Sequence, residues 1–431
     1  MERLSRRQFL QYSAAGAVVA APGVLTPGRA AAAAPCRSTG FRTSLSVSPF
    51  TEGVLRSVAL TDGHLTARSV EGVQRLFMRH GATEVYARIA TRRNARSSGA
   101  EMGFARGLER ARLARGLGLP FNPELGLWAV YGDAEGQPAP DFTDYRAIRL
   151  PGPWHTLTIG QMEAALRLYG ELVARQIRDT GVTVNFWDLG NEVEFGIAGV
   201  ATRPLTGGAY QAPDKVNPAI GQMRTATLIG MSEPDRIAWL RTNLWPYIGR
   251  LLAACADGIR SVDRSARFST HISGIFENTA AVPLAFWEEM GVRGYRADLL
   301  GTSYYASAGA IGGSGDRVQW LKQTAAALQQ RFHKRLFISE TGYPSGKMSP
   351  PYPYNTPVAG YPLTSAGQNA FIRDIVAWGA SSGRLAGIRP WAPDLCTAGS
   401  NWEPMSFFTS SRRLARAKPA LAAISQGLSR C

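Results

Sequence analysis

From residue 43 onward the apolar positions fall into two alternating rhythms. Short runs rich in β-branched and aromatic residues read as strands: "TSLSVSPF" (43–50), "TEVYARIAT" (83–91), "LPFNPE" (119–124), "VTVNFWDLG" (182–190), "ARFSTHIS" (266–273), "ADLLGTSYY" (297–305), "RLFISE" (335–340) and "LAGIRPWAP" (385–393). Between them, apolar residues recur at helical spacing over 70–81, 102–118, 159–181, 236–262, 283–291, 318–332 and 367–380. That makes eight strands, each after the first preceded by a helix. Such alternation implies a parallel sheet, and eight units closing on themselves predict a (β/α)8 TIM barrel. No linker divides the chain, so one barrel domain is expected over 35–431. Two stretches lack either rhythm, the proline-rich 130–158 and the Gly/Pro/Thr/Gln-rich 197–235. They follow the third and fourth strands and are expected to be long loops over the active face.

In a parallel barrel the C-terminal strand ends converge on one face, where chemistry collects. Polar residues at strand tips are therefore site candidates. The fourth strand runs into Gly190-Asn191-Glu192-Val193-Glu194, and the seventh delivers Glu340 before a Gly/Pro turn. The two strands lie across the barrel from one another, so Glu192 and Glu340 are expected to face each other over a groove. Two facing carboxylates suit cleavage of a glycosidic bond: one protonates the leaving oxygen while the other attacks the anomeric carbon, at about 5–5.5 Å separation in a retaining enzyme.

The ordered set "LGNE" on strand four, "GTSYY" on strand six, "ISETGYPS" on strand seven and "NWEPMSFF" after strand eight resembles the endo-β-1,4-galactanases of glycoside hydrolase family 53. The resemblance spans roughly residues 43–423. It implies a (β/α)8 barrel of the large retaining clan, with Glu192 as acid/base and Glu340 as nucleophile. It further implies that Asn191 hydrogen-bonds the sugar 2-hydroxyl, that Arg88 holds the nucleophile ionised, and that Tyr304 or Tyr305 hydrogen-bonds it. His271 matches a strand-five histidine, and Trp391 a strand-eight tryptophan that forms a sugar platform. The chain departs from the family pattern on strand three, where an Asp-Phe-His-Tyr-Ser-Asp run is replaced by Pro120-Phe121-Asn122-Pro123-Glu124-Leu125, and on strand eight, where Trp-Glu-Pro becomes Trp391-Ala392-Pro393. These positions line sugar subsites, so the departures bear on which sugar is bound. Asn122 is kept as a supporting residue, and Glu124 is close enough to its strand end to reach the groove. Asp188 and Glu194 read as structural, and Trp402 and Glu403 as supports of the last loop.

Composition changes this picture little. The 48 Lys+Arg against 32 Asp+Glu give +16, but no basic block exceeds short pairs such as Arg92-Arg93, so neither nucleic acid nor an anionic surface is implied. Five histidines and four cysteines form no metal-ligand spacing and no Ser/His/Asp set. No cofactor or metal is expected, and a peptidase or esterase reading lacks its equipment. The remaining rival is a non-catalytic carbohydrate-binding protein on the same scaffold. Residues 1–34 combine Arg6-Arg7, an Ala/Val-rich stretch and small residues, as in a twin-arginine export signal. Export predicts an extracytoplasmic protein acting on a polysaccharide, and a monomer is expected. It also allows disulfides. Closing a barrel brings the chain ends together, which makes Cys36–Cys431 one pairing to consider, with Cys255 and Cys396 leaving others open.

Overall fold

The computed structural model describes residues 40–431 except 206, 208–209, 309–315, 351 and 398–399. The expected export signal and Cys36 lie outside the described residues. Eight parallel strands form one sheet: β1 (Arg42–Thr43), β2 (Val85–Ile89), β3 (Phe121–Leu125), β4 (Trp187–Leu189), β5 (Phe268–Ile272), β6 (Leu299–Tyr304), β7 (Leu336–Thr341) and β8 (Leu385–Pro390). Neighbours in the sheet are neighbours in sequence from β2 to β8, and β8 then pairs with β1. The seam between β1 and β2 is bridged by Thr83 N–H donating to Thr43 O at 2.9 Å and by Tyr86 N–H donating to the Ser46 hydroxyl at 3.0 Å. A serine side chain there takes the place of a backbone acceptor. This is why β1 ends at Thr43 although the run was expected to continue to residue 50.

The intervening helices are α1 (Val70–Arg79), α2 (Phe104–Gly116), α3 (Ile159–Asp179), α4 (Trp245–Val262), α5 (Ala281–Val292), α6 (Arg317–Phe332) and α7 (Ser365–Ser381). Helix α3 starts at a capping box, Thr158 and Gln161 each bonding the other's backbone N–H. It crosses α4 closely because two glycines sit at the contact. A Cβ on Gly170 would lie 2.3 Å from Cys255 O, and one on Gly258 would lie 1.9 Å from Arg167 O. The helix expected over 236–262 is two helices, Glu233–Asn243 and α4, broken at Leu244 ahead of Pro246, which has no N–H to continue the ladder.

The 197–235 segment is not a structureless lid. It carries a tight hairpin (Gly196–Ile197 with Val200–Ala201) and two short helices, Pro218–Gln222 and Thr225–Gly230. It packs against the 130–158 loop, with Leu205 N–H donating to Glu135 O at 2.7 Å. Its described residues buttress the loop that reaches the site and are not among those lining the cleft.

The main apolar core lies between the sheet and the helices. Inside the barrel, a small apolar plug of Phe186, Leu299, Phe337 and Ala386 forms one layer. The layer nearer the C-terminal ends is polar and charged. Arg389 packs its guanidinium 3.9 Å over the Tyr86 ring and bonds Asn122 and Asp188. Barrel interiors are usually filled by branched aliphatic side chains, so this charged layer needs a reason, and the site above it supplies one. Cys255 and Cys396 are buried free thiols. Among the described residues no helix is long and apolar enough to cross a membrane, and no cluster of three or more His, Cys, Asp or Glu could hold a metal ion.

Candidate active site

The strand-four tip is shaped by an unusual backbone. Gly190 adopts φ 79°, and a Cβ there would collide with Val193 Cγ1 at 2.3 Å. Two residues on, Glu192 is itself left-handed (φ 51°, ψ 62°), a conformation sparsely populated by non-glycine residues. The turn lifts the Glu192 carboxyl out of the strand direction and into a cleft, where it accepts a long hydrogen bond from Ala134 N–H (3.3 Å). Gln137 anchors the turn by donating to Asn191 O at 2.6 Å.

Glu340 enters the same cleft from the end of β7. Its carboxylate is held on both oxygens: Arg88 Nη2 donates to Oε2 at 2.9 Å, and the Tyr305 hydroxyl donates to Oε1 at 3.0 Å. The cleft has about 750 Å³ of empty space, its open mouth included. Tyr131, Asp133, Ala134 and Glu135 line one side, Ile275 and Phe276 another. Tyr305, Tyr352, Tyr354, Trp391 and Trp402 form an aromatic wall.

The two glutamates differ electrostatically. Burial pushes the Glu192 carboxyl well above the usual range, and the negative charges of Glu340, Asp133 and Glu194 push it further the same way. Glu340 instead has a guanidinium and a phenol directed at it. The Glu192 carboxyl is built to hold a proton.

The supporting residues divide. Asn191 is buried, its Oδ1 2.9 Å from His271 Nε2 and its Nδ2 donating to Gly132 O at 2.7 Å. Burial drives the His271 pKa down to about 3, so the ring is neutral and Nε2–H is the donor. His271 therefore orients Asn191 and does not line the cleft. Trp391 does line it, and its ring lies 3.9 Å from the Arg88 guanidinium. Of the adjacent tyrosines, Tyr305 faces Glu340. Tyr304 belongs to the opposite face of β6 and stacks on Phe371 of α7, so as a site residue it is corrected to a packing residue. Asn122 is also corrected: it is fully buried one layer below the cleft, donating to Phe186 O at 2.8 Å and accepting from Arg389. Glu124 does not reach the groove but bonds Arg88 from beneath. Glu194 accepts from Ser273 N–H at 2.9 Å, and Asp188 from Arg389, both buried within the protein. Trp402, expected only to support the last loop, forms part of the cleft wall.

Tyr131, Asp133, Ile275, Phe276, Tyr352 and Tyr354 were not singled out from sequence. Their signal was weak, because they sit in loops without period. The "PPYPYNTP" stretch (350–357), downstream of Glu340, was the one visible hint of an aromatic wall.

The profile of glycosyl hydrolase family 53 matches residues 140–424, about two thirds of the sequence and including both glutamates. The chain belongs to glycosyl hydrolase family 53. Among solved structures, that of a fungal β-1,4-galactanase covers 89% of this chain and 98% of its own at 17% identity and TM-score 0.64. The family 53 catalytic domain of Ignisphaera aggregans covers 91% and 98% at 15% identity and TM-score 0.64. These two likenesses are to the fold and agree with a closed (β/α)8 barrel. No protein in the comparison with curated sequences matches this one. As a family 53 member the protein is a glycoside hydrolase, acting on O-glycosyl bonds.

Proposed function

We propose that this family 53 hydrolase is a secreted, retaining β-glycosidase that cleaves within a neutral polysaccharide, with β-1,4-galactan as the first substrate to try. The observation that carries the reading is the unequal pair of carboxyls in one cleft: Glu340 clamped by Arg88 and Tyr305, Glu192 buried among negative charges. In the first step Glu340 attacks the anomeric carbon, and the bond to the leaving oxygen breaks as Glu192 donates its proton to that oxygen. The ester formed on Glu340 carries no charge, which removes one of the repulsions acting on Glu192. Glu192 then ionises readily and takes a proton from the water that attacks the anomeric carbon, releasing the sugar and freeing Glu340. Asn191, fixed by His271 and Gly132, is buried directly before Glu192; its second amide proton is the one left to meet a sugar 2-hydroxyl when substrate fills the cleft. The aromatic wall supplies stacking faces for sugar rings. The galactan assignment leans on the family and on what the two solved structures are named for. Export through the twin-arginine route, inferred from Arg6-Arg7, would bring the folded enzyme to its substrate.

The test is a product profile on galactan, arabinogalactan, β-1,3- and β-1,4-glucan and mannan, with the first-formed anomer read by NMR. Internal cleavage of a β-linked neutral chain with β-anomer formed first is expected. Initial α-anomer overturns the retaining mechanism, and no turnover of any polysaccharide or aryl β-glycoside overturns the hydrolase reading in favour of a sugar-binding role.

A further inference from the structure

The charged layer beneath the cleft has a direction. Glu124, on β3, stands beside Arg88 in the β2–β3 register and beside Asp188 in the β3–β4 register. Its Oε1 accepts Arg88 Nε–H at 2.6 Å. Its Oε2 accepts the Tyr86 hydroxyl at 2.8 Å and Arg389 Nη1–H at 3.3 Å. Arg389 continues to Asp188 and Asn122. The result is a buried row, Glu340–Arg88–Glu124–Arg389–Asp188, in which signs alternate and two guanidiniums serve three carboxylates. The Arg88, Glu124 and Arg389 side chains are at most 1% exposed. Burial alone would disfavour the charged form of Arg88, but Glu124, Tyr86 and Glu340 together outweigh it.

This arrangement divides one guanidinium between two carboxylates. Arg88 gives a single bond to each, Nε to Glu124 and Nη2 to Glu340, with Trp391 against its face. An arginine with one carboxylate to itself prefers a two-pronged grip. Such a grip on Glu340 would spread the charge of both oxygens into the guanidinium and displace the Tyr305 bond. We propose that Glu124 is a positioning residue for the nucleophile: it tethers Arg88 from below and keeps it from closing on both oxygens of Glu340. The charged layer beneath the cleft then serves to hold that tether in place. The inference rests on Glu340 being the nucleophile.

Glu124→Gln tests it, because glutamine offers one acceptor where both are used. Whichever way the amide turns, its NH2 meets an arginine N–H. In one orientation the tether is lost and in the other it falls to a neutral acceptor, so Arg88 is expected to slide toward Glu340, its one remaining carboxylate. The groups facing Arg88 and Glu340 are Tyr86, Glu124, Arg389, Tyr131, Tyr305, His271 and, across the cleft, Glu192. In Glu124→Gln, kcat/KM for an aryl β-glycoside with a good leaving group is expected to fall roughly 10- to 100-fold, the range for a lost hydrogen bond to a charged group. Its acid limb should move to lower pH, because a negative charge near Glu340 has been removed. A folded Glu124→Gln protein with the wild-type acid limb overturns the proposal, since a merely structural role lowers melting temperature and active fraction without moving that limb. Glu124→Asp keeps the charge but shortens the reach, so its acid limb should stay in place with an intermediate kcat/KM. It decides the matter if the glutamine variant does not fold, and wild-type kcat/KM there overturns the idea. Should the wild type itself turn over no glycoside, the parent reading fails. The Arg88 tether is then judged by a crystal structure of Glu124→Gln, in which an unmoved guanidinium overturns it.

Discussion

The ends of β4 and β7 each present a glutamate to the same cleft, and they do so by opposite means. Glu340 lies within β7, where the pairing shifts register against both β6 and β8, and is met by donors: a guanidinium at 2.9 Å and a phenol at 3.0 Å. Glu192 sits on a left-handed turn just past its strand and is met by one long backbone N–H, by the Ser303 hydroxyl and by other carboxylates, burial and the carboxylates outweighing the hydroxyl. Identical side chains acquire different surroundings: one has donors on both oxygens, and the other is buried among negative charges that favour its acid form. The buried layer below serves the first end: it is charged where barrels are usually aliphatic, and it leads to Arg88.

The contrast breaks most severely at Glu340. Glu340→Gln keeps the shape and removes the proposed nucleophile, and kcat should fall by roughly 10⁴-fold or more on every glycoside tried, measured by steady-state release of aryl alcohol. Glu192→Gln should be substrate-dependent. Poor leaving groups need the proton and should lose roughly 10²- to 10⁴-fold, whereas the first step with an activated aryl leaving group should be nearly spared. A uniform loss across leaving groups would contradict the acid assignment. Tyr305→Phe removes one bond to an ionised oxygen and should cost about 10- to 100-fold in kcat/KM, corresponding to about 1.5–3 kcal/mol.

Smaller effects sharpen the difference between the two ends. Because Asp133 helps raise the Glu192 pKa, Asp133→Asn should lower it. Activity that requires protonated Glu192 is lost as pH rises through that pKa, so the basic limb of kcat/KM should move to lower pH. An unmoved or raised limb would show that Glu192 does not set it. Tyr304→Phe, one residue from Tyr305 but turned toward Phe371, should leave kcat/KM and its pH profile unchanged within error. A loss matching that of Tyr305→Phe would reverse the assignment of faces.

The barrel was legible because its signals are local and repeated. Each strand carries a short apolar run, and each of α1–α7 has its own period and a stop near a glycine or polar residue. The two glutamates were legible because a carboxylate at the tip of an otherwise apolar run conflicts with burial unless the tip is a site. What stayed hidden depends on direction and on distance in space. Nothing in "GTSYY" says which tyrosine turns inward, since that follows from how β6 sits in the sheet. Asn122 looked like a groove residue because its strand end was known but its depth was not. The 197–235 segment carried no period because its two helices are five and six residues long, too short to show one. Glu124's contacts were invisible because its partners, Arg88 and Arg389, lie 36 and 265 residues away. The cleft wall came from loops, where chain proximity gives no guide to contact.

The central claim is that Glu340 is the attacking carboxylate and Glu192 the proton donor, and the anomeric configuration of rescued products tests it most directly. With azide and an activated β-glycoside, Glu340→Gly should regain turnover and yield the α-glycosyl azide, because azide enters where the side chain was, while Glu192→Ala should yield the β-glycosyl azide from the covalent intermediate. The same β-azide from both variants, or the two configurations exchanged, would contradict the account.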